Sequence, residues 1–255
     1  MDNYINAMWV FDWKADEYGW PTKTKARLVA WGDEQRVDID FGELFAPTVA
    51  VSSVRLLTAM ACELDLDLCH SDIEQAFVQS DLEENVFMRL PQGCGSLSGK
   101  IVRLNKSMYV LKHTSREWHA YLTRCLLTLG FVQCLADACV FRLMDEGKVV
   151  MTIVVHVDDI FAVGEKARCD QFGRDLDRMV PVKNLGELRW YSGCFYEMDG
   201  EKGVLKISQQ TFDEQLADEY GIEFGKSVLL PVGTKLAEFN KNEAPGNWPF
   251  RELAH

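Results

Sequence analysis

Two adjacent carboxylates, Asp158 and Asp159, interrupt the most apolar stretch of the chain, Val149-Val150-Met151-Thr152-Ile153-Val154-Val155-His156-Val157-Asp158-Asp159-Ile160-Phe161-Ala162-Val163-Gly164. The pattern reads as a strand, a tight reversal and a second strand. Aspartates are common in turns, where they are solvated. Two-residue hairpin turns, however, prefer Asn-Gly or Asp-Gly because the backbone needs positive φ, and no glycine comes before Gly164. Two like charges between apolar strands are costly unless something neutralises them, and a divalent cation does so. On this segment alone the solvated tip and the metal-binding pair both stand. A two-metal centre needs a further carboxylate from elsewhere in the chain. Asp72, in Leu68-Cys69-His70-Ser71-Asp72-Ile73-Glu74-Gln75-Ala76-Phe77, is the candidate. It ends a short strand, where it could equally cap the turn Glu74–Phe77.

The elements that must hold these carboxylates are legible as hydrophobic patterns. Strands are expected at Lys25–Trp31, Leu68–Ile73, Val86–Leu90, Ile101–Leu104, Val149–His156 and Ile160–Val163. Trp190–Met198 and Val204–Ile207 suggest a hairpin turning at Asp199-Gly200. A first helix is expected from an N-cap at Ser52 or Ser53, with Val54, Leu57, Ala61 and Leu64 on one face. A second opens on Thr114-Ser115-Arg116-Glu117, a capping-box pattern, buries Trp118, Leu122, Cys125 and Leu126, and stops at Gly130. A third spans about Lys166 to Met179, and a fourth follows Ser208, carries Phe212 and Leu216, and ends at Gly221. Gly93–Gly99 reads as a flexible loop, and the stretch after Asn240 as an irregular tail. The mixture predicts an α+β fold.

Bulk properties narrow the class. At 255 residues and 47% apolar content the chain can bury a sizeable core. No apolar run is long enough to span a bilayer, and Met1-Asp2-Asn3-Tyr4 has no signal-peptide character. The expectation is an intracellular protein, cytoplasmic or nuclear, neither secreted nor membrane-bound. Eight scattered cysteines form no C-x-x-C pair, so reduced, mostly buried thiols are expected rather than a zinc site. The net charge of −12 is unlike the basic face of most nucleic-acid-binding proteins, although Lys23, Lys25 and Arg27 cluster locally.

Taken in order, the segments resemble the reverse transcriptase of copia-type LTR retrotransposons. Trp9-Val10-Phe11 resembles K-W-V-F; Lys25 to Ala30 resembles K-A-R-L-V-A; Phe45 to Val49 resembles F-A-P-V-V. Asp72 to Phe77 resembles D-V-K-T-A-F; Lys106 to Lys112 resembles K-S-L-Y-G-L-K; His156 to Asp159 resembles Y-V-D-D. Leu185-Gly186 resembles a D-L-G turn, and Pro249 to Leu253 resembles P-Y-R-x-L. The resemblance implies a right-hand polymerase whose central antiparallel palm sheet is backed by helices. Residues 1–255 would form one unit: fingers mainly 1–50 and 78–106, palm about 51–77 and 107–185, and partial thumb 186–255. RNase H and integrase regions would lie outside the chain.

The implied reaction is RNA-directed DNA synthesis: attack of a primer 3′-hydroxyl on a dNTP, copied from an RNA or DNA template, with two Mg²⁺ ions, or Mn²⁺ in their place. Asp72 and Asp158 would bridge the ions, Asp159 would be a secondary ligand, and the Ile73 carbonyl could add an oxygen. Phe77 would sit beside the sugar, Lys25 and Arg27 would meet the triphosphate, Lys112 would lie near nucleotide or template, and His156 near the primer end. Leu90-Pro91-Gln92-Gly93 resembles a retroviral L-P-Q-G only superficially, so Gln92 is not assigned to dNTP. Several motif positions differ: Trp31 for Lys, Glu74 for Lys, Val110 for Gly, and His113-Thr114-Ser115 for Q-A-P. These changes lie along the implied substrate path. They leave a second reading, a catalytically weakened or inactive remnant that keeps the palm fold and acts at most as a nucleic-acid-binding module. A third, an unrelated acidic metal-binding domain, is opposed by the ordered motifs.

Overall fold

The computed structural model describes residues 4–15, 20–35, 44–82, 84–199, 203–219 and 221. The tail after Asn240, the motif at Pro249–Leu253 and Gly200 of the expected turn lie outside them. In chain order the elements are β1 (Ile5–Ala15), β2 (Pro21–Ala30), α1 (Val51–Glu63), β3 (Asp67–Ile73), β4 (Phe87–Arg89), β5 (Ile101–Arg103), α2 (Thr114–Thr128) and β6 (Phe131–Gln133). There follow β7 (Val140–Asp145), β8 (Lys148–His156), β9 (Asp159–Gly164), α3 (Lys166–Asp177), β10 (Val182–Glu187), β11 (Trp190–Tyr191), β12 (Cys194–Asp199), β13 (Val204–Ser208) and α4 (Gln210–Glu219). The chain divides into two units, Met1–Gln210 and Thr211–His255, and all three sheets belong to the first.

The central sheet has six strands in the order β10-β3-β9-β8-β7-β6, every neighbouring pair antiparallel. Strand alternation divides its residues between two faces. Cys69, Ile73, Ile153, Val155, Ile160 and Ala162 point one way, into a core closed by Trp118, Leu122 and Leu126 of α2 and Cys169, Phe172 and Leu176 of α3. Leu68, Val154, Phe161 and Val163 point the other way and meet Val54, Leu57 and Ala61 of α1 with Tyr191 and Tyr196. Both faces are covered, which is why β8 and β9 read as nearly continuous apolar runs. His70, Asp72 and Asp159 share the α1 face, at its β3–β9 end.

A second sheet, β2-β1-β4-β5, packs over Ile5, Ala30, Leu82, Val86, Met88 and Leu111. Its β1–β4 pair is parallel, the others antiparallel. A three-stranded sheet, β11-β12-β13, carries the hairpin expected from Trp190 onward. The architecture is thus a mixed helix-and-sheet fold with several antiparallel sheets, as α+β predicts.

Several local expectations are corrected. α1 starts at Val51, with Ala50 as N-cap and no side-chain cap, while the Ser53 hydroxyl donates instead to Asp137 Oδ2 at 2.6 Å. Thr114 does not cap α2; its hydroxyl donates to the Met108 carbonyl at 2.7 Å and His113 takes the N-cap place. α3 ends at Asp177, short of Met179. Gly93–Gly99 is not featureless, since Gly95–Leu97 forms a 3-10 turn. Leu185-Gly186 lies inside β10, where Gly186, at φ 83°, accommodates an irregularity in the pairing with β3. On α4, Phe212 is exposed. All eight cysteines are free thiols, four of them buried and four half-buried.

Candidate active site

The β8–β9 reversal has only two residues outside the ladder, Val157 and Asp158, because His156 pairs with Asp159. The missing glycine has a visible consequence: Val157 adopts φ 58°. A β-branched residue there is strained by about 1–3 kcal/mol. Two hydrogen bonds hold the turn against that strain. The Trp118 indole N–H donates to the Val157 carbonyl at 2.6 Å, and the Ile73 amide donates to the Asp158 carbonyl at 2.8 Å. Trp118 is 1% exposed, so its donor is fixed in the core of α2.

The second bond ties the reversal to the end of β3. There Asp72 is the direct cross-strand partner of Asp159. Asp72 does not cap the following turn, whose N-cap is Gln75, in a left-handed conformation and without a side-chain bond. Burial raises the Asp72 pKa above its ordinary value, and the negative charges of Asp158 and Asp159 raise it further. His70, and after it Lys183 of β10, which faces Asp72 across the ladder on its other side, partly offset this.

A cleft of ≈ 570 Å³ opens here, lined among others by Lys25, Arg27, Asp72, Ile73, Tyr109 and Asp158. Two cations and two carboxylates far apart in sequence thus meet around one space. Arg27 forms a half-exposed ion pair with Asp12 at 3.6 Å, a contact worth at most about 1 kcal/mol. Burial raises the Tyr109 pKa, and the Asp158 charge adds to the rise.

Phe77 and Lys112 line a different cleft of ≈ 290 Å³, with Pro47, Trp118, His119 and Val157. The two clefts adjoin through Tyr109, whose ring packs edge-on against Phe77 at 5.0 Å. His156 ends β8 half-buried, with its ring against Tyr191 at 6.3 Å.

Asp159 differs from its neighbours. It is not part of the cleft lining, and its Oδ1 accepts a hydrogen bond from His70 Nε2 at 2.9 Å. Among the described residues no three Asp, Glu, His or Cys side chains converge as a ready metal cluster. The donor set nevertheless fits a hard divalent cation: two carboxylates border one cleft, and the like charges around Asp72 call for a counter-ion.

Sequence reasoning passed over His70, Tyr109 and Lys183. His70 had a signal, since it stands two residues before Asp72 on one strand and therefore shares its face. Lys183 had none, because only the β3–β10 pairing brings it opposite Asp72.

Val110 also departs from expectation. It occupies φ 76°, where the resembled motif has glycine, and is 61% exposed. Its carbonyl crowds Gly32 so closely that a Cβ there would lie 1.9 Å from the oxygen.

Comparison with known proteins identifies the family of the chain. Residues 2–234 match the family described as Reverse transcriptase (RNA-dependent DNA polymerase). The chain is 30% identical over 237 residues to the Retrovirus-related Pol polyprotein from transposon TNT 1-94 of Nicotiana tabacum, covering 91% of this chain and 18% of that protein. It is 31% identical over 247 residues to the Retrovirus-related Pol polyprotein from transposon RE1 of Arabidopsis thaliana, covering 92% and 17%. A Transposon Ty1-BL Gag-Pol polyprotein of Saccharomyces cerevisiae is 27% identical over 189 residues, 72% of this chain and 10% of that one. The chain therefore spans less than a fifth of the length of each of these relatives, and with the family matched along nearly its whole length it belongs to the reverse transcriptases of retrotransposon Pol polyproteins.

Proposed function

We propose that the chain extends a DNA primer on an RNA or DNA template, using dNTPs and divalent cations, as the polymerase part of a copia-type Pol polyprotein. The observation that carries this reading is the single cleft bordered by Asp72 and Asp158 on one side and Lys25 and Arg27 on the other. In the reaction the primer 3′-oxygen bonds to the α-phosphorus of the dNTP, the α–β phosphoanhydride bond breaks, and pyrophosphate leaves. Bound by Asp72 and Asp158, with the Ile73 carbonyl beside them, two Mg²⁺ ions, or Mn²⁺, would lower the pKa of the attacking hydroxyl and neutralise the leaving group.

The remaining work falls to side chains. Lys25 and Arg27 meet the triphosphate, and Arg27 gives up only its weak contact with Asp12. Tyr109, braced by Phe77, closes the cleft beside the sugar, so that Phe77 acts on sugar selection through Tyr109 rather than alone. Lys112, in the neighbouring cleft, is placed for the template side, and His156 for the primer end. In a right-hand description, the β2-β1-β4-β5 sheet corresponds to fingers, the six-stranded sheet with α1–α3 to palm, and the region from residue 186 to the start of the thumb.

A second reading is favoured by one observation: Val110 holds a strained φ of 76° beside Gly32, where the resembled motif has glycine, in the stretch between Tyr109 and Lys112. On that reading the chain is a weakened copy that retains the fold and binds nucleic acid. Primer extension on an RNA template with Mg²⁺ separates the two. The polymerase reading expects extension by the wild type and a loss of about 10³-fold or more in Asp158→Asn. Absence of extension in a folded wild type that still binds primer–template would establish the remnant.

A further inference from the structure

We propose that His70 is a positioning residue of the carboxylate site, holding Asp159 away from the cleft so that the cation is gripped by Asp72 and Asp158 alone. The inference rests on the metal-dependent reading above and deepens it. The backbone by itself would allow three ligands, since Asp159 pairs directly with Asp72 and is adjacent to Asp158. The side chains do otherwise: Asp72 and Asp158 border the cleft and Asp159 does not.

What separates Asp159 is its hydrogen bond to His70 at 2.9 Å. In the β3–β9 register His70 faces Phe161, which places it diagonal to Asp159 on the same face. A carboxylate can only accept, so Nε2 donates. The imidazole is 7% exposed and braced edge-on by Tyr191 at 6.1 Å, itself 2% exposed. It cannot follow Asp159 outward. Turning Asp159 into the cleft would leave a buried N–H unpaired, a cost that opposes ligation. Cation affinity rises with the number of carboxylates in a site. By withholding the third, His70 keeps the site weaker than its sequence would make it.

The test is Mn²⁺ binding to the full chain without nucleic acid, read from the free-ion electron paramagnetic resonance signal. Leu replaces the volume of His70 without a donor, whereas Gln keeps a donor of similar reach. His70→Leu should bind Mn²⁺ about fivefold or more tightly than wild type, and His70→Gln should stay within about twofold of it. The gain should vanish in the His70→Leu/Asp159→Asn double variant. A folded His70→Leu that binds no better than wild type, or a gain that survives Asp159→Asn, overturns the proposal and leaves the polymerase reading intact. A wild type whose Mn²⁺ uptake is absent, or is insensitive to Asp158→Asn, overturns both. If His70→Leu does not fold, Asp159→Asn alone decides: affinity within about twofold of wild type supports the withheld ligand, and a tenfold loss refutes it.

Discussion

Asp72 illustrates how a residue can be good for chemistry and poor for stability. Its carboxyl sits above the usual pKa because burial and two neighbouring aspartates disfavour its charge. An acid whose pKa is raised in the folded state binds its proton more tightly folded than unfolded. It therefore favours the fold at low pH, and that advantage is lost as pH rises through the raised value. In chelator, Asp72→Asn should melt at a higher temperature than wild type at pH 7.5, with the difference shrinking towards pH 4. Thermal denaturation at the two pH values checks this, and a lower melting temperature for the variant at pH 7.5 would contradict it. Val110 is a second case. Its φ of 76° costs a β-branched residue about 1–2 kcal/mol, and glycine removes that cost while adding about 0.5–1 kcal/mol of unfolded-state entropy. Val110→Gly should therefore stabilise the protein by about 0.5–1 kcal/mol in urea unfolding. The partner position behaves oppositely, since a Cβ on Gly32 would collide with the Val110 backbone.

Among the elements, α1 depends on a group outside it. Asp137, in the loop before β7, accepts bonds from the Ala50 amide at 3.1 Å and the Ser53 hydroxyl at 2.6 Å, and from the Cys139 amide at 2.9 Å. Burial works to raise its pKa, but these bonds prevail and hold it below the ordinary carboxylate value. The stability it contributes is present above that ordinary value and is lost as pH falls through the lowered one. Asp137→Ala should cost about 1–3 kcal/mol at pH 7 and much less at pH 2–3, measured by chemical denaturation at both. Expectations were good where an element states its own pattern. β3 and β8 begin one residue before their predicted starts and end where predicted, at Ile73 and His156. β1, β6, β7 and β10 are not among the expected strands; in β10 Asn184 and Gly186 break the alternation, and only pairing with β3 makes a strand of it. The N-caps were misplaced because α1 takes its polar partner from a distant loop and Thr114 from the preceding turn, contacts that local spacing does not encode.

For the molecule as a whole, the net charge of −12 must be reconciled with a polyanionic template. The reconciliation is local: Lys25 and Arg27 border the cleft, Lys112 its neighbour, and Lys183 faces Asp72. With Lys25 and Arg27 assigned to the triphosphate, Lys112 and Lys183 are the two of these cations left for the primer–template, whose binding without dNTP should show a log K against log salt slope of about −2, since each phosphate contact contributes about −0.9. Fluorescence anisotropy across a salt series measures it, and a slope steeper than about −6 would require a broad basic face elsewhere. No described helix is long and apolar enough to cross a membrane.

The amino-acid sequence by itself determined the family, the three strands β3, β8 and β9 that carry the carboxylates, and the identity of Asp72, Asp158 and Asp159 as the chemical candidates. These properties follow from residue type, order and period, which are local. Tertiary structure alone decided that the carboxylates divide into two facing the cleft and one bonded to His70, that Lys25 and Arg27 share that cleft while Phe77 and Lys112 line the next, and that Val157 and Val110 bear positive φ. Each depends on which strand lies beside which and in what register. A shift of one residue turns every side chain to the other face, so that information resides in the pairing and not in either strand.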